Sequence, residues 1–250
     1  MEAFSLSLPQ SWSELSDQQL LFFFRQVARD LPLEEVTAIC LCKWAHLSVL
    51  CRDSQHRVLV RQRTTKREVW LADWQLAYAC RQLSYLGSFA EMPVRISELR
   101  GAAAVAADLQ GVAFEDYLVL ENFYQGFLHT QSLDCLAEMA HLLYPLLSYR
   151  FTLSKAELLS VFYWFASVKL YFTKLFPKFF SAVPEGNGNL LGTAPTAIGE
   201  TLRQAMNAQI RALTAGDITK EARVLEMDCW RALTELDAKA KEAEEMRKMG

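Results

Sequence analysis

Three cysteines and a histidine stand close enough in the sequence to raise the question of a zinc site. Cys40 and Cys42 are separated by one residue, and His46 and Cys51 follow within the same segment. Zinc sites usually place at least two residues between paired cysteines. These thiols also fall in an apolar run that is typical of a helix. We therefore interpret them as buried thiols, because a free cysteine packs like a small apolar side chain.

The histidines and carboxylates give no stronger indication of catalysis. His129 and His141 have no carboxylate at metal-ligand spacing, and neither begins an H-E-x-x-H pattern. Glu115, Asp116 and Glu121 share one predicted helix, but paired carboxylates need a cleft that separates their pKa values. No G-x-S-x-G, P-loop or G-x-G-x-x-G motif occurs. The sequence thus predicts a protein that is not an enzyme and that uses no metal or cofactor.

A local concentration of cations is the one charge anomaly. The alternating segments RVLVRQ and REVWL predict a β-hairpin over residues 56–71. Its cations are Arg57, Arg61, Arg63, Lys66 and Arg67. Side chains two residues apart on a strand share a face, so several of these cations can line one surface. Two interpretations stay open: a solvated face that discourages edge pairing, and a binding site for an acidic partner or a phosphate backbone.

The segment from residue 154 to residue 180 organises the rest of the chain. Ser154 and Glu157 have the spacing of a capping box. Neither glycine nor proline interrupts the next 18 residues, and apolar side chains cover nearly the whole circumference. Lys169 and Lys174 argue against a membrane span, which tolerates few charges. We predict a long apolar central helix buried in a sizeable core.

Composition shifts suggest how the chain is divided. Residues 183–199 are rich in glycine and proline, which predicts a flexible linker. Before it we expect a mainly α-helical core domain, residues 1–182, with a small β-element in its N-terminal half. After it we expect a helical C-terminal arm, residues 200–250. The apolar stripe of the arm can bury itself on its own domain or in a partner's groove; it comprises Val224, Leu225, Trp230 and Leu233.

Composition and charge place the chain among globular proteins. Of its 250 residues, 52% are hydrophobic and 22% are charged, which allows a substantial core. The net charge of −3 produces no overall field that attracts nucleic acid or anionic lipid. The first residues, MEAFSLSLPQ, lack the basic and apolar regions of a secretory signal. We therefore expect a cytoplasmic protein with reduced thiols.

Three segments together resemble a known group of proteins. They are SWSELSDQQLLFFFRQ, then FEDYLVLENFYQGFLHTQ with SVFYWFASVKLYFTKLFPKFF, and finally MNAQIRALTAGDITKEARVLEMDCWRALTELDAKAKE. In these segments the chain resembles a family encoded in phages and prophages of Bacteroides-type bacteria, among the virion morphogenesis genes. The C-terminal part is also similar in style to small phage tail assembly chaperones.

The resemblance implies a function but no catalytic residues. It implies a non-enzymatic morphogenesis protein, either a tail assembly chaperone or a tail-associated structural protein. Its partners would be phage tail or other virion proteins, and self-association stays open. Such a protein would act in the host cytoplasm during assembly or in the virion, without a membrane. The alternative hypothesis is an accessory protein that binds nucleic acid or an anionic partner through the basic hairpin.

Overall fold

The computed structural model describes residues 6–88, 94–182 and 195–249. The helices are α1 (Asp17–Val27), α2 (Leu33–Trp44), α3 (Asp73–Arg81), α4 (Phe114–Thr130), α5 (Leu133–Leu143), α6 (Lys155–Leu175), α7 (Pro177–Ala182), α8 (Pro195–Thr214), α9 (Glu221–Leu225) and α10 (Cys229–Met249). The strands are β1 (Leu47–Arg52), β2 (Val58–Gln62), β3 (Glu68–Leu71), β4 (Glu98–Leu99) and β5 (Ala102–Ala103). The chain is mainly helical with a small antiparallel sheet in its N-terminal half, as the sequence predicts.

The N-terminal sheet has three strands in the order β1-β2-β3. Strands β2 and β3 form the predicted hairpin, in which Arg61 pairs with Glu68. Strand β1 was not predicted and pairs antiparallel with β2. It begins directly after His46, whose φ of 54° turns the chain out of α2 and into the strand. Val60 and Leu71 are buried, so one face of the sheet lies against the core and the other faces solvent.

Helix α6 lies at the centre of the core and packs against α1 and α5. Its capping box forms as predicted: Ser154 Oγ accepts from the Glu157 amide, and Glu157 Oε2 accepts from the Ser154 amide at 2.7 Å. Trp164 is 1% exposed and donates from Nε1 to the Ala107 carbonyl at 2.8 Å. The helix ends at Leu175, one residue before the C-cap Phe176, and α7 begins at the following proline.

The prediction of a long apolar central helix that the core covers on nearly all sides is not supported. Leu170 and Leu175 are 43% and 40% exposed, so one side of α6 faces solvent near its C-terminal end. Polar side chains are also buried along the helix: Glu157, Ser160 and Ser167. Among the described residues, no helix is long and apolar enough to cross a membrane.

The C-terminal helices contact the core closely. Helix α10 packs against α7, α8 and α4. The Phe114 amide donates to the Met227 carbonyl at 2.7 Å, and the Cys229 amide donates to the Val112 carbonyl at 2.9 Å. The division of the chain at residues 183–199 stays a prediction. Residues 183–194 lie outside the described residues, and α8 already begins at Pro195.

Candidate partner-binding surfaces

Two cations on the outer face of the hairpin are paired with acids. Arg57 Nε donates to Asp53 Oδ2 at 2.8 Å, and its guanidinium lies 5.5 Å from the centre of the Trp70 ring. Arg61 Nε donates to Glu68 Oε1 across the strand pair, also at 2.8 Å. These contacts agree with the predicted shared face. They also neutralise two of the five predicted cations, which weakens the attraction of this face for anions.

The remaining hairpin cations lie toward the turn. Arg63 Nε donates to Ser48 Oγ at 2.8 Å, and the Arg63 amide donates to the His46 carbonyl at 2.8 Å. These bonds hold the end of β2 beside the end of α2. Lys66 lies in the turn with a φ of 60°, and both Lys66 and Arg67 are exposed. Arg63 therefore lies beside α2, whereas Lys66 and Arg67 lie exposed in and next to the hairpin turn.

Arg63 lines a cleft of about 610 Å³ between α1, α2 and the start of β1, which we call the basic cleft. Two further cations, Arg29 and Lys43, line it, and Glu35 is its single acid. Lys43 Nζ lies 5.6 Å from the centre of the Phe22 ring, and Arg29 Nη1 donates to Gln26 Oε1 at 2.9 Å. The apolar lining consists of Phe22, Leu31, Ala38, Ile39, Cys42 and Leu47.

A second cleft of similar size contains cations that are paired with acids. It has a volume of about 600 Å³ and lies between α1 and the N-terminus of α6. Its Arg100 pairs with Glu157 at 2.9 Å, and its Lys155 pairs with Asp30 at 2.9 Å. Burial alone would raise the pKa of Glu157, but hydrogen bonds from Ser154 and Arg100 outweigh it, so the pKa lies below its usual value. Arg100, Lys155 and Glu157 of this cleft are therefore each paired with an opposite charge of the same chain.

A third concavity, which we call the apolar groove, lies between α2, the sheet and α3 and measures about 440 Å³. Trp74 and Tyr78 stand at its rim and are 71% and 64% exposed. Its other lining residues are Leu6, Leu41, Leu47, Val69, Leu71, Gln75, Leu76, Ala79 and Gln82. Leu47, which is buried, contributes to the lining of both the apolar groove and the basic cleft.

The predicted partner-binding stripe of the C-terminal arm is packed against the rest of this chain. Val224 and Leu233 are buried, and Leu225 and Trp230 are half-buried. The Trp230 ring lies 5.7 Å from that of Phe172, and its Nε1 donates to the Asp108 carbonyl at 2.7 Å. Partner binding by this stripe stays a prediction, and it would require the segment to leave these contacts.

The residues considered for chemistry lie apart, some in the core and some at the surface. Cys40 is buried in α2, and burial raises the pKa of its thiol to about 12, which leaves it unreactive. Cys51 lies exposed on β1, so its expected place on an apolar helix was wrong. Glu121 forms an ion pair with Lys169 and accepts from Gln125. Among the described residues, no group of three His, Cys, Asp or Glu side chains could hold a metal ion.

Sequence reasoning missed four of the residues that line the basic cleft and the apolar groove: Arg29, Lys43, Trp74 and Tyr78. Trp74 and Tyr78 are four residues apart and therefore share one face of α3, a signal that was available in the sequence. Arg29 and Lys43 gave no such signal, because their meeting with Arg63 depends on how the sheet packs beside α2.

Comparison with protein-family models, curated proteins and solved structures finds no match to this chain.

Proposed function

We propose that this chain is a non-enzymatic protein of phage morphogenesis that acts by binding another virion protein. The finer hypothesis, supported by the resemblance of its C-terminal part, is a tail assembly chaperone or a tail-associated structural protein. The observation that carries the binding role is the apolar groove with Trp74 and Tyr78 exposed at its rim.

Physical reasoning connects that groove to protein binding. Tryptophan and tyrosine supply much of the binding energy at protein interfaces, and they concentrate where a partner excludes water. Both side chains project from a short helix whose Ala79 is buried against the core, so they are presented on an ordered element. A partner side chain that enters the groove would bury apolar surface on both proteins.

The test compares variants during phage production. We would express tagged full-length protein in phage-producing cells and quantify the tail proteins recovered with it. The double variant Trp74→Ala/Tyr78→Ala should lose most of this recovery. Its control is Leu146→Ala/Tyr149→Ala, which removes a similarly exposed pair in the α5–α6 loop. Equal recovery by both variants would exclude the groove, and no recovery by the wild type would contradict the assembly role.

Nucleic-acid binding by the hairpin is the second proposal. Trp70 is exposed on the outer face with Arg57 over its ring, and proteins that bind single strands combine cations with aromatic stacking surfaces. The ion pairs of Arg57 and Arg61 reduce this attraction. Binding of a single-stranded oligonucleotide that weakens with salt and is lost in Trp70→Ala would support this proposal.

A further inference from the structure

The basic cleft brings three cations together against a single acid, Glu35. Within the part of the chain that the structure describes, Arg29, Lys43 and Arg63 take part in no ion pair. By contrast, Arg57, Arg61 and Arg100 are each paired with an acid. With three cations and one acid in its lining, the cleft carries an excess of positive charge, which attracts an anion.

The residues that line the cleft indicate which class of anion it would bind. Phe22, Leu31 and Ile39 are half-buried and supply apolar surface between the cations. A small inorganic ion would contact the cations and leave this surface uncovered. A nucleic acid would need aromatic faces for its bases, yet the one aromatic ring of the cleft, Phe22, already has Lys43 close to it. A peptide with both carboxylate and apolar side chains would contact the cations and also cover the apolar surface between them.

We propose that the basic cleft binds an acidic segment of a protein partner, with carboxylates on Arg29, Lys43 and Arg63 and apolar side chains on the floor between them. The proposal rests on the proposed protein-binding function and specifies the chemistry of the partner. The apolar groove and the basic cleft share Leu47 in their linings, so both lie near the start of β1.

Hydrogen bonds within the chain hold two of the three cleft cations in position. Two bonds from Arg63, to Ser48 and to the His46 carbonyl, fix the hairpin end against α2. The bond from Arg29 to Gln26 orients a second guanidinium, because Gln26 is itself buried in α1. Cations held in place by such contacts lose less side-chain entropy when they bind, which favours affinity.

A peptide array with purified full-length protein tests the proposal directly. The array would vary the order of Asp, Glu, Leu and Phe, with matched peptides in which Ser replaces the apolar residues or Lys replaces the acids. Wild-type protein should bind the acidic–apolar peptides, less well as salt rises, and should bind both matched sets weakly. The variant Arg29→Gln/Lys43→Gln/Arg63→Gln should bind about tenfold more weakly.

The control variant carries the same loss of charge at exposed cations outside the cleft: Arg150→Gln, Arg231→Gln and Lys239→Gln. It should bind like the wild type. If the triple cleft variant unfolds, Arg63→Gln alone should still weaken binding about threefold, since this side chain is exposed.

Three results would overturn the proposal: no binding to any acidic–apolar peptide, equal loss in the cleft and control variants, or displacement of the peptide by a single-stranded oligonucleotide at low concentration. The array contains no phage protein. Its failure, with Trp74- and Tyr78-dependent recovery of tail proteins intact, would therefore refute the cleft without refuting the proposed function.

Discussion

The tryptophans of the central core and the aromatic residues of α3 are similar residues in opposite environments. Trp164 has its ring buried and its Nε1 bonded to a carbonyl, whereas Trp74 and Tyr78 expose most of their surface beside a groove. The cations differ in the same way: Arg100 is paired with Glu157, while Arg29, Lys43 and Arg63 have no ion pair among the described residues. One region uses these residue types for stability, and the other leaves them accessible to a partner.

The largest expected effect lies in the core. Trp164→Ala should reduce the free energy of unfolding by about 3–5 kcal/mol, because the change leaves a cavity beside Tyr144 and removes a hydrogen bond. Denaturant titration measures this loss, with Trp164→Phe as the milder control. A loss below about 1 kcal/mol would show that α6 is not the centre of the core.

The second largest loss of stability is expected for Trp230→Ala, which tests how the C-terminal segment packs on the core. Its ring contacts those of Tyr171, Phe172 and Phe176, so the substitution should cost about 2–3 kcal/mol. A single cooperative transition, shifted to lower denaturant, is the expected result. Two separate transitions, with only the smaller one shifted, would instead favour the predicted independent arm.

A smaller effect depends on pH. The pKa of Glu157 lies below its ordinary value of 4.5 in the folded protein, so its contribution to stability is present above that pH. The contribution is lost as the pH falls through the lower folded-state pKa. The stability of Glu157→Gln should therefore depend less on pH in this acidic range than that of the wild type. Glu115→Gln, at an exposed position, serves as the control. Parallel pH profiles for wild type and Glu157→Gln would contradict the assignment.

The smallest effect on stability belongs to the groove. Trp74→Ala/Tyr78→Ala should change the free energy of unfolding by only about 0.5 kcal/mol per site, as is usual for exposed positions. Thermal and denaturant melts check this expectation. A loss as large as that of Trp230→Ala would place these side chains in the core and remove the contrast between the two regions.

Much of the fold could be predicted from local patterns. The capping box of α6, the β2–β3 hairpin and the shared face of Arg57 and Arg61 follow from spacings of two to four residues. Strand β1 could not be predicted in the same way, because LSVLCR continues the apolar run of α2 and the break depends on the positive φ of His46. The solvent-facing side of α6 was missed because apolar composition does not reveal which neighbours cover a helix.

The candidate site was less accessible to sequence reasoning. The charges of the hairpin were visible, but their neutralisation by Asp53 and Glu68 depends on turn geometry and strand register. The meeting of Arg29, Lys43 and Arg63 joins three separate elements. The stripe around Trp230 was visible too, yet an apolar stripe is the same whether its own chain or a partner covers it. Tertiary packing decides each of these cases.

Hydrogen–deuterium exchange on the complex recovered from phage-producing cells tests the central claim most directly. Binding at the groove predicts that amides in residues 69–82 exchange more slowly in the complex than in the free protein, with no change in residues 224–236. Slower exchange confined to residues 224–236, or to the α5–α6 loop, would contradict the account and return the partner-binding role to another surface.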